Sequence, residues 1–252
     1  MTLDAAQQKR LTEASFLIRN GRPGEAIPIL DGLLEIDPNF LFLWDERVRA
    51  KAFSGDHVGA FSDSTMRIQR APEDPESYTC RAFYVFGRVN DLRSAIEDYS
   101  SAIYLNPEHP TAFLQRGILR VRLGDLADAI SDFSSDIRFS KSGALSGLLN
   151  RGKTRYLLGD LPNAIADLTH AFSLEIEPAI YAPLFRGHAL LAAGDYHGAI
   201  DDFTAAILAY SGLTNAYRCR AEARRLIGDT VGASNDLAEY QRLGGQDLPA
   251  YS

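Results

Sequence analysis

Six arginines stand at near-constant spacing along the chain, Arg47, Arg81, Arg116, Arg151, Arg186 and Arg220. Each is followed 16 or 17 residues later by an aspartate: Asp63, Asp98, Asp132, Asp167, Asp202 and Asp236. A guanidinium and a carboxylate can share two parallel hydrogen bonds, so this spacing suits a set of internal ion pairs; with the partners apart, the arginines would be a ladder of cations for an anionic ligand. Other reactive residue types are sparse. His57, His109, His170, His188 and His197 scatter with no paired spacing on one helix that would suit a metal. Neither a phosphate-binding glycine loop nor a nucleophile elbow occurs. Asp201-Asp202 and Glu97-Asp98 combine a solvated helix face with the paired aspartate, without a cleft for two-carboxylate catalysis. The sequence therefore predicts no catalytic residue, no metal and no cofactor.

The elements that carry these residues repeat. Ala26, Ala60, Ala95, Ala129, Ala164, Ala199 and Ala233 recur at intervals of 34 or 35 residues, and a glycine stands five residues before six of them: Gly21, Gly55, Gly124, Gly159, Gly194 and Gly228. The third unit has Asn90 there, with Gly87 just upstream. A period of this size marks a solenoid of helical hairpins. With the alanine at position 20 and the glycine at 15, the sixth unit is Ile180 to Leu213. Its first half carries Leu184, Gly187, Leu190 and Leu191 at helical spacing and ends in Gly194-Asp195, a stop followed by a cap; its second half places Ala199, Ile200, Phe203, Ala206 and Ile207 on one stripe. Helix A and helix B then pack antiparallel. In that hairpin the arginine at position 7 and the aspartate at 23 lie at one height, which favours pairing within a repeat. Gly117, Gly152 and Gly187 are expected to face Ala129, Ala164 and Ala199 where the helices approach.

The runs Asn150-Arg151-Gly152, Leu158-Gly159-Asp160-Leu161, Ala164-Ile165 and Asp167-Leu168 resemble the tetratricopeptide repeat. So do Ile103-Tyr104-Leu105-Asn106-Pro107 and Leu34-Glu35-Ile36-Asp37-Pro38. Seven copies fall at about 7–40, 41–74, 75–109, 110–143, 145–178, 180–213 and 214–247. The pentatricopeptide family has a similar period, but its basic character is missing here. The resemblance implies an all-α, right-handed superhelical solenoid of antiparallel helix pairs, one domain over residues 1–252, acting as a protein-binding scaffold rather than an enzyme. Departures mark places to examine. The second repeat has Ser64 and Arg67 where apolar residues are usual; the third holds an extra residue, expected in its Gly87–Asp91 turn; the fourth replaces the Asn-Pro link by Phe139-Ser140-Lys141-Ser142-Gly143, which predicts irregularity or a hinge near 139–146. Pro28 is expected to bend or shorten helix B of the first repeat.

By the same resemblance helix A lines the concave face at positions 2, 5, 6, 9, 12 and 13. The candidate groove residues are Phe83, Leu114, Ile118, Arg122, Leu149, Asn150, Lys153, Tyr156, Leu184 and His188. At positions 5, 9 and 13 of all repeats the charged residues are Arg19, Asp45, Arg49, Arg122, Lys153, Arg218, Glu222 and Arg225, mostly basic. The expected partner is a protein or peptide segment with apolar anchors and acidic residues. Relatives that clamp the C-terminal carboxylate of chaperones need a lysine and asparagine set over three repeats, which no three consecutive repeats here supply.

The formal net charge of −7 gives no electrostatic footprint for nucleic acid. The N-terminal residues lack a basic-then-apolar leader and no uncharged apolar run is long enough for membrane insertion, so a cytoplasmic location is expected. Cys80 and Cys219, four repeats apart, are expected as unbridged thiols. No dedicated capping helix follows the seventh repeat, and Leu243–Pro249 is short and broken. An exposed last helix with Val231 and Leu237 makes homo-oligomerisation the alternative function.

Overall fold

The computed structural model describes residues 3–140, 144–174 and 180–245. Among them are fourteen α-helices, one π turn and no strand. They form two compact units, Met1–Leu123 and Gly124–Ser252. The first holds α1 (Ala5–Arg19), α2 (Pro23–Ile36), α3 (Leu41–Ser54), α4 (His57–Arg70), α5 (Pro75–Arg81, continued by the π turn Ala82–Phe86), α6 (Leu92–Leu105) and α7 (Pro110–Leu123). The second holds α8 (Leu126–Phe139), α9 (Leu145–Leu157), α10 (Leu161–Leu174), α11 (Tyr181–Ala193), α12 (Tyr196–Ala209), α13 (Thr214–Leu226) and α14 (Thr230–Arg242). Within each unit every helix packs on the next, and A helices also meet: α1 touches α3 and α3 touches α5, as α9 touches α11 and α11 touches α13.

The turn chemistry explains the uniform hairpins. Gly55 ends α3 with a φ of 87°, and the next N–H, of Asp56, reaches back to Lys51 O at 2.9 Å. The Asp56 carboxylate then accepts from Gly59 N at 2.8 Å and opens α4. Asp91, Asp195 and Asp229 cap α6, α12 and α14 in the same way. Two adjacent residues thus stop one helix and start its partner. The ruler alanines are fully buried, apart from a trace of exposure at Ala233. The hairpin glycines have a different neighbour from the one expected. A Cβ on Gly152 would meet Leu168 Cγ at 2.7 Å, and one on Gly187 would meet Phe203 Cε1 at 2.8 Å. They face the bulky residue at position 24, because that side chain projects across the hairpin while the alanine stays beneath it.

The irregular repeats resolve into specific packing. The extra residue of the third repeat lies inside the helix and not in the Gly87–Asp91 turn: Gly87 N bonds Ala82 O at 2.9 Å, a five-residue step that makes the π turn. Asn90, at φ 59°, takes the left-handed position that glycine holds elsewhere, so the turn itself keeps its normal length. Pro28 does not shorten its helix; α2 has 14 residues like its counterparts, because the proline sits in the second turn on the exposed side, where one lost donor is tolerated. Helix α4 is complete in spite of Ser64 and Arg67, both buried. Arg67 is held by Asp45 (Nη2 to Oδ2 3.1 Å), Asp74 at 3.1 Å and Ser77 Oγ. Of the expected irregular segment at 139–146, residues 141–143 lie outside the described residues, as do 246–249 of the C-terminal segment.

Candidate binding surface

The six arginines separate the structural from the available charge. In the five pairs that fall within one unit the guanidinium grips its own repeat's aspartate through Nε and Nη2: Arg47–Asp63, Arg81–Asp98, Arg151–Asp167, Arg186–Asp202 and Arg220–Asp236, at 2.6–3.0 Å. Arg116 and Asp132 belong to different units. The aspartates are buried, and Lys51, Arg155 and Arg224 add a second cation to Asp63, Asp167 and Asp236. Burial pushes the Asp202 carboxyl up and Arg186 opposes that, while the same hydrogen bond holds Arg186 above its ordinary value. The third arginine nitrogen has a role that the Arg–Asp spacing alone does not show. Nη1 donates to the preceding repeat: Arg47 to Asp31, Arg116 to Ser100, Arg151 to Ser134, Arg186 to Thr169 and Arg220 to Thr204, at 2.8–3.3 Å. A hydroxyl or carboxylate recurs at position 25 for this purpose. With their donors spent on their own aspartate and on the preceding repeat, Arg47, Arg151, Arg186 and Arg220 are not a ladder for a ligand.

The candidate groove residues divide by burial. In the first unit Phe83 is 52% exposed and meets Tyr84 edge-on at 5.0 Å. Leu114 and Ile118 are partly buried, and Arg122 donates to the Asn90 side-chain carbonyl. In the second unit Lys153 and Tyr156 meet Leu157 and Phe185 in one apolar recess. The Lys153 Nζ stands 4.3 Å from the Phe185 ring centre, and burial lowers its pKa. Burial likewise raises the Tyr156 phenol. Asn150 turns its amide to Ser146 O of its own helix at 2.9 Å. Leu149 packs into the core with Leu148 and Ala171 on one side and Ala164 and Leu168 on the other, and Leu184 packs with Ala199 and Phe203. His188 is only 7% exposed, edge-on to Phe203 at 5.2 Å, and burial with nearby Arg218 pushes its pKa down to about 4. It is neutral at physiological pH. The structure thus brings Lys153 and Tyr156 together and commits Leu149, Leu184 and His188 largely to packing.

Two thiols and one histidine complete the inventory. Cys80 and Cys219 are free and buried. Burial raises Cys80 well above its ordinary value, with Asp45 adding, and takes Cys219 to about 11, so neither is a thiolate at neutral pH. His109 precedes α7, accepts from Ala112 N at 3.3 Å and meets Glu76 at 3.1 Å, a structural tie between α5 and α7. Among the described residues no three His, Cys, Asp or Glu side chains are grouped to hold a metal, and no helix is long and apolar enough to cross a membrane.

Residues 80–143 match the family model of the tetratricopeptide repeat. The fold is shared with solved structures of low sequence identity. The C-terminal part of a repeat-containing protein from Cytophaga hutchinsonii superposes with a TM-score of 0.73 at 16% identity, over 94% of this chain and 96% of that one. YrrB, described as having an unusual peptide-binding site, gives 0.63 at 21% identity over 73% and 93%. PilW, a type IV pilus biogenesis factor, gives 0.66 at 16% identity over 83% and 96%. Residues 80–143 thus match the tetratricopeptide repeat, and the seven-fold alanine spacing and the paired helices give the described residues the fold of tetratricopeptide repeat structures.

Proposed function

We propose that the chain is a non-enzymatic scaffold that holds a protein or peptide segment on the faces of its A helices. The observation that carries this reading is the recess of Lys153, Tyr156, Leu157 and Phe185. Apolar walls there surround a cation that has an aromatic face and, among the described residues, no carboxylate beside it. An incoming segment with an apolar anchor and an acidic neighbour would fill the recess and neutralise the amine. Phe83, Leu114, Ile118 and Arg122 extend the same type of surface on the first unit, and Asn150 stands beside Lys153 on the second. The peptide-binding site of YrrB supports the reading by analogy of fold. A pull-down from the native host with wild type and with a Lys153→Ala, Tyr156→Ala double substitution, checked for folding by circular dichroism, tests it. Partners captured by the wild type and lost from the double variant are expected. Undiminished capture of every partner would remove it.

A second reading rests on α14, where Val231 is 71% and Leu237 45% exposed. This apolar face would support self-association through the last repeat. Light scattering over a concentration series tests it: a mass that stays at the monomer value removes this reading.

A further inference from the structure

The first unit contains an open cleft along its A helices, deepened where the third repeat departs from the others. Ile18 and Arg19 at the end of α1, Gly21 and Pro23 beyond it, Arg49 and Phe53 of α3, and Tyr84 of the π turn line a solvent-open cleft of about 500 Å³, a volume typical of small-ligand sites. One side of its aromatic wall, Tyr84, comes from the π turn of the third repeat, and the other, Phe53, from α3. The Arg81–Asp98 separation is 17 residues where the other described pairs have 16, and the π turn that absorbs the difference carries Phe83 and Tyr84, which meet edge-on at 5.0 Å. Phe53 and Tyr84 meet edge to face at 6.0 Å and 85°, and the Arg88 guanidinium carbon lies 4.3 Å over the Phe53 ring. The charge around the mouth is cationic. Arg19 is exposed and pairs with no carboxylate among the described residues. Arg49 is bound on one side to buried Glu46, itself fixed by Ser15 Oγ at 2.9 Å, while its buried Nε has no hydrogen-bond partner. Glu46 thus pairs with Arg49, while Arg19 lines the cleft and Arg88 covers the Phe53 ring of its aromatic wall.

We infer that this cleft recognises an acidic peptide segment: an aromatic side chain enters against Phe53 and Tyr84, and a carboxylate within two residues of it meets Arg19 and Arg49. Edge-to-face rings accept another ring at their free edges, and guanidiniums favour carboxylates in planar pairs. The net charge of −7 and the buried Glu46 argue against a polyanionic nucleic acid as the occupant. The inference rests on the protein-binding reading above and assigns to it a site on the first unit, separate from the Lys153 recess.

The test is selection of a random dodecapeptide phage library on the full chain at low salt, followed by anisotropy titration of the enriched peptides. The variants are Arg19→Gln and Phe53→Ser, both at exposed positions, with circular dichroism as the check on folding, and Lys153→Ala as the control on the second unit. Enrichment of an aromatic residue within two positions of Asp or Glu is expected. Affinity is expected to fall about tenfold or more in each first-unit variant and to stay unchanged in Lys153→Ala. Replacing the peptide's acid by its amide is expected to weaken binding comparably. Enriched peptides that ignore Arg19→Gln and Phe53→Ser but need Lys153 overturn the cleft assignment and leave the scaffold reading standing. A library that yields no enriched peptide overturns both. Oligouridylate that binds the wild type and is lost from Arg19→Gln and Phe53→Ser replaces the peptide by RNA and overturns the inference.

Discussion

Asp136 is 5% exposed and faces Gly147, where a Cβ would stand 2.5 Å from its Oδ2. The equivalent contacts between neighbouring repeats join Ala102 with Ala112 and Ala171 with Ala182, each pair within one apolar cluster. In this position a carboxylate replaces a methyl group, and the glycine opposite makes room for it. Burial alone raises its pKa from 3.8 to about 6. A carboxyl whose folded value lies above its unfolded value destabilises the fold when ionised; the penalty is absent below the unfolded value and complete above the folded one. Two units correspond to about 3 kcal/mol, at 1.36 kcal/mol per unit. Asp136→Asn removes the charge and keeps the shape. Its gain over wild type is expected to be near zero at about pH 4, to grow through the pH 4 to 6 window and to level at roughly 1–3 kcal/mol above pH 7. Urea denaturation followed by circular dichroism from acid to mildly alkaline pH reads the difference directly. A gain independent of pH, or a variant less stable than wild type above pH 7, would refute the reasoning.

The Arg186–Asp202 pair gives a second test. Asp202→Asn should cost about 3 kcal/mol by leaving a largely buried guanidinium half-paired, while the apolar double variant Arg186→Met, Asp202→Leu should cost less than the sum of the single changes in a denaturation cycle. Gly187→Ala drives a methyl into the Phe203 ring at 2.8–3.1 Å and is expected to lose about 1–3 kcal/mol. Gly24→Ala, with nothing within 4 Å, should gain about 0.5 kcal/mol in the same assay. At Asn90, glycine should exceed alanine by about 1 kcal/mol in thermal melts, because a Cβ is strained at φ 59°.

The hairpins were legible because one local code is written seven times. Glycine and aspartate set each turn, and the period fixed which arginine meets which aspartate. The same regularity concealed the exceptions. A repeat spacing of 35 says that a residue was added to the third unit but not where; the choice between turn and helix depends on whether Asn90 can adopt a left-handed backbone, which an amide side chain permits. Position numbers also identify a face without identifying depth. His188 and Leu149 occupy groove positions, yet neighbouring helices cover them, whereas Lys153 at a comparable place keeps an open side. Phe53 and Tyr84 stand at groove positions, but their aromatic type does not repeat, and Tyr84 lies in the π turn that the spacing alone did not locate. The hydroxyls at position 25 were visible as a column of Ser and Thr, and their meaning required the reach of the third guanidinium nitrogen.

That third nitrogen changes how the protein should come apart. Stacked hairpins ordinarily fray from their ends, each leaving when its own contacts fail. Here Arg151, Arg186 and Arg220 each hold a side chain of the hairpin before them, so release of one repeat strips a hydrogen bond from the next. Amide exchange across α9–α14 should therefore show protection lost in blocks larger than a single repeat.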